Sequence, residues 1–351
     1  MASYNQSDFA RTHRELSSAC QPAAYLNISM TNARPTVLYK YRHFDARTID
    51  LVCRDRVYYA DPATFNDPLD TKPCVESDCD VETLEKTVYE MVRRRVLATM
   101  RASAASIKYR GPRTIAHIEK HSESAGQRKL DELRYEATNP DYSDEGEAHA
   151  SLLTSAIEDE LLRQYNKGIL SLASRYDCPL MWSHYGEQHR GMCIGYTVPT
   201  EQQMPDWVLD LHPVVYGGNR NVRASTVAAM VLNDDARARV DVDAAVLLRK
   251  APDWHYEEEW RLLGSRGPSD STLEMSEITF GMRCDSSIMH TVASTLKGRD
   301  KEVKLYLMHE VRGTFELRRS ELEVGELAAY YPRRANSVFE EFAPYADVPE
   351  A

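Results

Sequence analysis

Runs of aromatic and β-branched residues predict most of the strands of this chain. Residues 37–42 read Val-Leu-Tyr-Lys-Tyr-Arg, a composition typical of a strand. Similar runs predict strands at 57–60, 168–173, 192–197, 214–216, 260–264, 278–282, 303–308 and 314–318. Apolar residues at helical spacing predict helices near 47–54, 222–233, 240–250 and 286–297.

Residues 81–165 differ from the rest because their apolar positions repeat at helical spacing over a long stretch. Leu153, Ile157 and Leu161 mark one face, so we predict a helical insertion over 81–165. Residues 1–33 lack a clear period and are predicted to be an N-terminal tail. Residues 34–351 are predicted to form a single domain. Because strands and helices alternate irregularly, the fold class that we predict is α+β.

Composition indicates an ordinary soluble globular protein. The 351 residues include 43 Lys and Arg against 54 Asp and Glu, a formal net charge of −11. Such a charge argues against a protein that coats nucleic acid along its whole surface. No segment predicts a membrane span or a secretory signal. The seven cysteines include no CxxC pair, which predicts a cytoplasmic protein with free thiols and without structural zinc.

Charge is distributed unevenly within the predicted insertion. Residues 86–130 hold 11 Lys and Arg against 3 Asp and Glu, whereas residues 131–160 hold 10 acidic residues and one Arg. One interpretation is a pair of helices of opposite charge that pack together or are simply solvated. The other is a basic surface at 86–130, around Arg93, Arg94 and Arg95, that presents an RNA or DNA partner.

The first of four polar segments is on the strand at 37–42. Alternation places Tyr39 and Tyr41 on one face and Lys40 and Arg42 on the other. The tyrosines then pack in the core, or Arg42 faces a cleft where its planar guanidinium suits phosphate or carboxylate. The sequence leaves both interpretations open.

The second segment is the turn Phe65-Asn66-Asp67-Pro68-Leu69-Asp70. Asn66 and Asp67 are typical turn residues whose side chains bond neighbouring amides. Asp67 and Asp70 are alternatively candidates to bind a metal or a ribose hydroxyl.

The third segment contains Trp182, Ser183, His184 and Tyr185 in succession. These residue types predict the wall of a site, in which an aromatic ring stacks on a flat ligand and His184 transfers a proton. The alternative is a histidine that packs in the core. His184 and His189 are five residues apart, a spacing that does not favour two zinc ligands on one helical face.

The fourth segment, residues 253–263, carries Glu257, Glu258 and Glu259 at the start of a predicted strand. Alternation along that strand places Glu257 and Glu259 on one face. Two carboxylates so close repel each other and are expected to raise the pKa of one of them. An exposed acidic edge near Arg261 is the other interpretation.

Together and in this order, these segments resemble an uncharacterised bacterial family known as domain of unknown function twenty-nine seventy-one. The matching stretches are LYKYRHFD (38–45), FNDPLD (65–70), PLMWSHYGEQHRGMCIGY (179–196) and DWHYEEEWRLL (253–263). The family name implies kinship without an activity. The chain also lacks P-loop, GxGxxG and GxSxG motifs, which lowers support for kinases, classical dinucleotide-binding proteins and α/β-hydrolases.

The order of the polar segments also resembles that of ADP-ribosyltransferases. Those enzymes carry an Arg or His on an early strand, an aromatic residue or Ser on a middle strand and a Glu near a late strand. The resemblance implies a largely antiparallel split sheet and transfer of ADP-ribose from NAD to a nucleic acid or protein, as in a toxin or antiphage effector. NAD is then a substrate, and no metal is predicted.

The same resemblance implies roles for individual residues. Glu259, or else Glu257, would stabilise the ribosyl cation, and His184 would fix the ribose. Arg42, or else His43, fills the early basic position, where Arg42 would hold the pyrophosphate. The residues predicted to bind NAD are Tyr39, Tyr41, Arg42, Asn66, Asp67, Trp182, Ser183 and Tyr185, with Tyr185 or Trp182 against the nicotinamide.

Two other functions stay open at this stage. A divalent-metal phosphodiesterase or nuclease would draw its ligands from Asp67, Asp70, His184, Glu257 and Glu259. A non-catalytic module would use the same polar segments to bind a nucleotide or to hold the sheet together.

Overall fold

The structure, a computed structural model, describes residues 34–109, 111–164, 167–199 and 210–333. The predicted N-terminal tail lies outside the described residues. Of the described residues, those within Tyr58–Leu172 and Pro199–Ser269 form one compact unit, unit 1. Those within Val37–Val57, Ala173–Val198 and Asp270–Ala351 form unit 2.

Helices and strands are interspersed along the whole described chain. In chain order the helices are α1 (Ala46–Arg54), α2 (Val81–Ser106), α3 (Pro112–Ala137), α4 (Glu145–Gln164), α5 (Pro179–His184), α6 (Ala224–Leu232), α7 (Ala236–Leu247), α8 (Ser286–Leu296) and α9 (Val324–Tyr330). The strands are β1 (Val37–Arg42), β2 (Arg56–Tyr59), β3 (Cys74–Glu76), β4 (Lys167–Ala173), β5 (Met192–Thr197), β6 (Leu211–Pro213), β7 (Val215–Tyr216), β8 (Asn221–Arg223), β9 (Arg249–Lys250), β10 (Glu259–Ser265), β11 (Gly267–Asp270), β12 (Glu274–Phe280), β13 (Lys304–Glu310) and β14 (Leu317–Glu321).

Aspartate side chains fix the start of several helices. Asp45 accepts a hydrogen bond from the backbone N–H of Thr48 at the start of α1. The side chains of Asp80 and Asp235 likewise accept hydrogen bonds from backbone N–H groups in the first turns of α2 and α7. A side-chain oxygen at this position satisfies one of the backbone donors that the first turn leaves free, so local sequence places these boundaries.

The core of unit 1 lies among its helices. Leu84, Val88 and Met91 of α2 are buried against apolar residues of α4, α6 and α7. This packing explains why the long helices form at the predicted insertion, since burial of an apolar face stabilises a helix more than its intrinsic propensity does. Beside these helices, unit 1 contains strands in the order β4-β10-β6, with β10 and β6 antiparallel.

Unit 2 is built on strands in the order β14-β13-β12-β5-β1. The β1/β5, β5/β12 and β13/β14 pairs are antiparallel, whereas β12/β13 is parallel. In the β1/β5 register, Tyr39 faces Gly195 and Tyr41 faces Cys193. The predicted α+β class is confirmed, and the predicted antiparallel character holds for most pairs in this unit.

Several elements differ from the sequence-based expectation. The predicted strand 278–282 begins at Glu274 and ends at Phe280. The strands β3, β6, β8, β9 and β11 and the helices α5 and α9 are not among the predicted elements. Two or three residues are too few to show a period, so tertiary pairing decides whether such segments become strands. Among the described helices, none has both the length and the apolar character that crossing a membrane requires.

Candidate functional site

The second and fourth polar segments meet in unit 1 around Arg261 of β10, whose side chain has no exposed surface. Its Nη2 donates to both carboxylate oxygens of Asp70, at 2.7 and 2.9 Å. Its Nε donates to Glu259 at 2.9 Å, and its Nη1 donates to the carbonyl of Leu247 at 2.7 Å. The guanidinium is thus held by two carboxylates and one backbone carbonyl.

Lys250, at the end of β9, links the carboxylate of Glu257 to Asp70, Glu259 and Arg261. Its ammonium contacts Glu257, lies 3.1 Å from Glu259 Oε2 and 3.6 Å from Asp70 Oδ2. We call Asp70, Lys250, Glu257, Glu259 and Arg261 the acid-base cluster. Its side chains are buried, and three carboxylates face two cations, so the five groups carry one net negative charge.

The backbone reaches this arrangement differently from the prediction. Glu257 ends a short 3-10 helix, Pro252–Glu257, and is not part of the strand. Glu258 adopts a left-handed conformation with φ of 43°, and Glu259 begins β10. The prediction that Glu257 and Glu259 share a face is therefore not explained by alternation along a strand. The left-handed residue between the two glutamates places both carboxylates on Lys250.

The surrounding cations determine the protonation of the cluster. Burial by itself would raise the pKa of Glu259, but Arg261 and Lys250 outweigh it and lower that pKa to about 2. Burial opposes the charge of Lys250, yet Glu259 and Glu257 raise its pKa. The expected rise from carboxylate repulsion does not occur at Glu259. The carboxylate of Glu259 and the ammonium of Lys250 are therefore both charged at neutral pH.

Aromatic side chains border the cluster. Trp254 Nε1 donates to Asp67 Oδ2 at 2.8 Å, and the Trp254 ring centroid is 5.1 Å from Lys250 Nζ. The backbone N–H of Glu259 donates to the Tyr216 hydroxyl at 2.7 Å, and the Tyr216 ring is 5.1 Å from that of His255. Indole and phenol groups of this kind offer faces on which a flat ring can stack.

The turn that carries the second segment has a structural role. Asp67 Oδ1 accepts from the backbone N–H of Leu69 at 2.9 Å, as the turn interpretation predicts. Asn66 and His255 are exposed. The ribose-binding role of Asn66 and Asp67 stays a prediction.

The first and third segments meet in unit 2. Tyr41 and Trp182 are in edge-to-face contact, with ring centroids 5.2 Å apart. The Tyr41 hydroxyl donates to the carbonyl of Arg175, and Trp182 Nε1 donates to that of Tyr176. Tyr39, Tyr41 and Trp182 are buried, so the structure gives these three side chains a packing role and leaves the ring of Trp182 no exposed face for a ligand.

The other predicted residues of unit 2 lie nearer its surface. Ser183 and His184 are exposed at the end of α5, and Tyr185 is half-buried. Arg42 is half-buried at the end of β1, where burial lowers its pKa. His43 is exposed and lies 2.8 Å from Asp45. The roles proposed for these residues toward NAD stay predictions.

Unit 2 also contains a strained turn that the sequence did not reveal. Glu187, Gln188 and His189 have φ values of 53°, 54° and 69°, so three successive non-glycine residues are left-handed. Each such residue costs about 1 kcal/mol or more. The His189 ring stacks on Trp182 at 6.0 Å. Burial and the nearby Arg283 lower the pKa of His189, which keeps the ring neutral near pH 7.

Glycines allow the rest of unit 2 to approach this turn. A Cβ at Gly191 would lie 2.2 Å from the carbonyl oxygen of Arg42. We expect Gly191→Ala to lower the free energy of unfolding by about 1–3 kcal/mol, because the backbone must move to relieve the clash. Urea titration measures the change. Gly325→Ala in α9 is the control, since nothing lies within 4 Å of its Cβ. Equal stability of the two variants would contradict the prediction.

Two residues of the site in unit 1 escaped the sequence analysis. Lys250 and Tyr216 each lie on a two-residue strand, and neither belongs to one of the four polar segments. Among the described residues, no group of three or more His, Cys, Asp or Glu side chains is placed to hold a metal ion.

Comparison with known proteins gives one family match. Residues 181–262 match the model of a family described as "Protein of unknown function (DUF2971)". The match includes most of the third and fourth polar segments, which supports the family resemblance over that part of the chain. No curated protein and no solved structure matches the chain.

Proposed function

We propose that the protein cleaves the nicotinamide–ribose bond of NAD and transfers ADP-ribose to a macromolecular acceptor. The observation that carries this proposal is the net negative charge of the acid-base cluster in unit 1. A cluster that only stabilised the fold would need no excess carboxylate. An excess carboxylate fixed in a buried place is suited to a reaction in which positive charge develops on a sugar.

The proposed reaction breaks one bond to the ribose and forms another. The bond between C1′ and the nicotinamide nitrogen breaks, and nicotinamide leaves with the bonding electron pair. Positive charge then develops on the ribose, as in glycoside cleavage. An acceptor oxygen or nitrogen attacks C1′ and releases a proton. Glu257 and Glu259 would stabilise the cation electrostatically, since Lys250 and Arg261 hold them in place and keep Glu259 ionised.

The side chains around the cluster are suited to bind the nicotinamide, adenine and ribose groups of NAD. Tyr216, Trp254 and His255 offer surfaces for a nicotinamide or adenine ring. The exposed amide of Asn66 offers hydrogen bonds to ribose hydroxyls.

The test is incubation of the full chain with NAD labelled on the adenylate phosphate, with cell extract as acceptor. We expect nicotinamide release and labelled macromolecules. Glu257→Gln should lower the rate about 100-fold, the scale of losing one electrostatic stabiliser. Asp253→Asn, on the exposed surface of the same 3-10 helix, removes an equal charge and should keep the wild-type rate.

Thermal unfolding of both variants shows whether a loss of activity reflects loss of fold. Wild-type protein that releases no nicotinamide and transfers no label would overturn the proposal. So would a folded Glu257→Gln variant as active as Asp253→Asn, because the cluster would then serve the fold alone.

A further inference from the structure

The arginines that mark the basic segment are neutralised within unit 1. Arg93 and Arg94 both donate to Glu90 at 2.7 Å, and Arg94 also donates to Asp234 at 3.0 Å. Arg95 forms a bidentate ion pair with Glu160 of α4, in which Nε and Nη2 donate to the two carboxylate oxygens at 2.7 and 2.9 Å. Of the three arginines, Arg95 pairs with the acidic segment 131–160, as the interpretation of oppositely charged helices expects. These arginines are therefore poorly placed to present a nucleic acid.

Positive charge persists where α2 and α3 join. Residues 101–109 and 111–121, which we call the hairpin tip, contain four Lys and Arg and one Glu. Arg101 lies 3.7 Å from that acid, Glu119. Among the described residues of the hairpin tip, Lys108, Arg113 and Lys120 form no ion pair.

The hairpin tip extends beyond the packed part of unit 1. The last buried residue of α2 is Val92, and the first of α3 is Ile118. Val96 of α2 still packs against the core, and at 1.5 Å per residue α2 continues for about 15 Å past it. The Debye length at physiological ionic strength is about 8 Å, so salt screens the hairpin tip from most of the acidic charge on the rest of the chain.

Exposed apolar side chains accompany these charges. Ile107 is 73% exposed, Tyr109 62% and Ile115 49%. Tyr109 lies directly beside Lys108 in the sequence. A basic surface with an accessible aromatic ring is the arrangement that binds single-stranded nucleic acid, because cations contact the phosphates while an unpaired base stacks on the ring.

We propose that the hairpin tip binds single-stranded nucleic acid through Lys108, Tyr109 and Arg113. A lipid surface is the less favoured partner, since residues 101–121 contain no Trp or Phe and membrane binding scales with inserted apolar area. That the bound strand is also the acceptor of ADP-ribose rests on the proposed function, whereas the binding itself does not.

Binding is measured without NAD, so its failure is distinct from failure of the proposed reaction. Fluorescence anisotropy of the full chain with labelled 20-nucleotide RNA and DNA strands gives the affinity at several salt concentrations. The Lys108→Gln/Arg113→Gln variant should bind at least about tenfold more weakly. The slope of log affinity against log salt is negative, and its magnitude should decrease by about 1.4 because two phosphate contacts are lost.

Each variant has a matched control on the same helical hairpin. Lys86→Gln/Lys129→Gln removes two cations that are already paired with Glu82 and Glu132, so both double variants share the same net charge. Tyr109→Ala should weaken binding about tenfold, whereas Tyr135→Ala removes a tyrosine that is 82% exposed but lies outside the hairpin tip.

Three outcomes would overturn the proposal. The first is absence of binding to either strand at low salt. The second is equal weakening by the hairpin-tip variants and their controls. The third is that vesicles of phosphatidylserine and phosphatidylcholine bind the full chain while the oligonucleotides do not.

Discussion

Arg261→Met is expected to lower the free energy of unfolding by about 3–5 kcal/mol, the cost of removing one partner from a buried ion pair. Methionine replaces much of the volume of the side chain, but Asp70 and Glu259, which are exposed by less than 10%, then lose a cation with little water to replace it. The carbonyl of Leu247 also loses its donor. Urea titration monitored by circular dichroism measures the change.

Arg266→Met provides the matched control for this prediction. Arg266 pairs with Asp61 at 2.8 Å, and both side chains are about one-third exposed. We expect a cost of about 1 kcal/mol or less, because water solvates the remaining carboxylate. If Arg261→Met were no more costly than Arg266→Met, the buried carboxylates would not depend on the guanidinium.

A double-mutant cycle separates the pairing from the packing of Arg261. In the Arg261→Met background, Asp70→Asn removes a charge that has already lost its guanidinium. It should therefore destabilise the protein less than it does in the wild type. A coupling energy of about 0.5–3 kcal/mol is typical of residues in contact, and a coupling of zero would indicate that Arg261 acts through packing alone.

The second large effect is a loss of stability in acid that originates at Glu259. Its pKa falls from 4.5 to about 2 on folding, because Arg261 and Lys250 outweigh the effect of burial. The lowered pKa means that the unfolded chain binds the proton more readily. The associated stability is present above pH 4.5 and is lost as the pH falls toward 2. The shift corresponds to about 3 kcal/mol at neutral pH.

Urea titrations between about pH 7 and pH 2 measure this linkage. Glu259→Gln should be less stable than the wild type at neutral pH, and the two stabilities should converge in acid. Asp253→Asn should keep the wild-type slope, because Glu259 is intact in that variant. If Glu259→Gln showed the wild-type slope between pH 4.5 and 2, another group would be responsible for the acid sensitivity.

Much of the fold could be predicted from the sequence because local interactions encode it. The bounds of β1 and β5 agree with the predicted 37–42 and 192–197, since aromatic and β-branched runs are long enough to show their pattern. The predicted insertion is helical at α2, α3 and α4. The strands β7 and β9 consist of two residues each, and their pairing is a tertiary contact without a local signal.

The candidate site could be predicted only in part for the same reason. Glu257 and Glu259 stand out because three adjacent glutamates precede a tryptophan. Lys250 is a single lysine without a motif, and Asp70 lies 191 residues from Arg261. A contact over such a separation depends on the path of the whole chain.

The sequence by itself determined the long helices and strands, the capped helix starts and the uneven charge of residues 86–160. Tertiary structure alone decided which charged side chains neutralise one another. Arg95 meets Glu160 and Arg261 meets Asp70, whereas Lys108 and Arg113 remain at the hairpin tip. The reason is that the energy of a charge depends on its distance from other charges and on its exposure to water, and neither quantity is set by position along the chain.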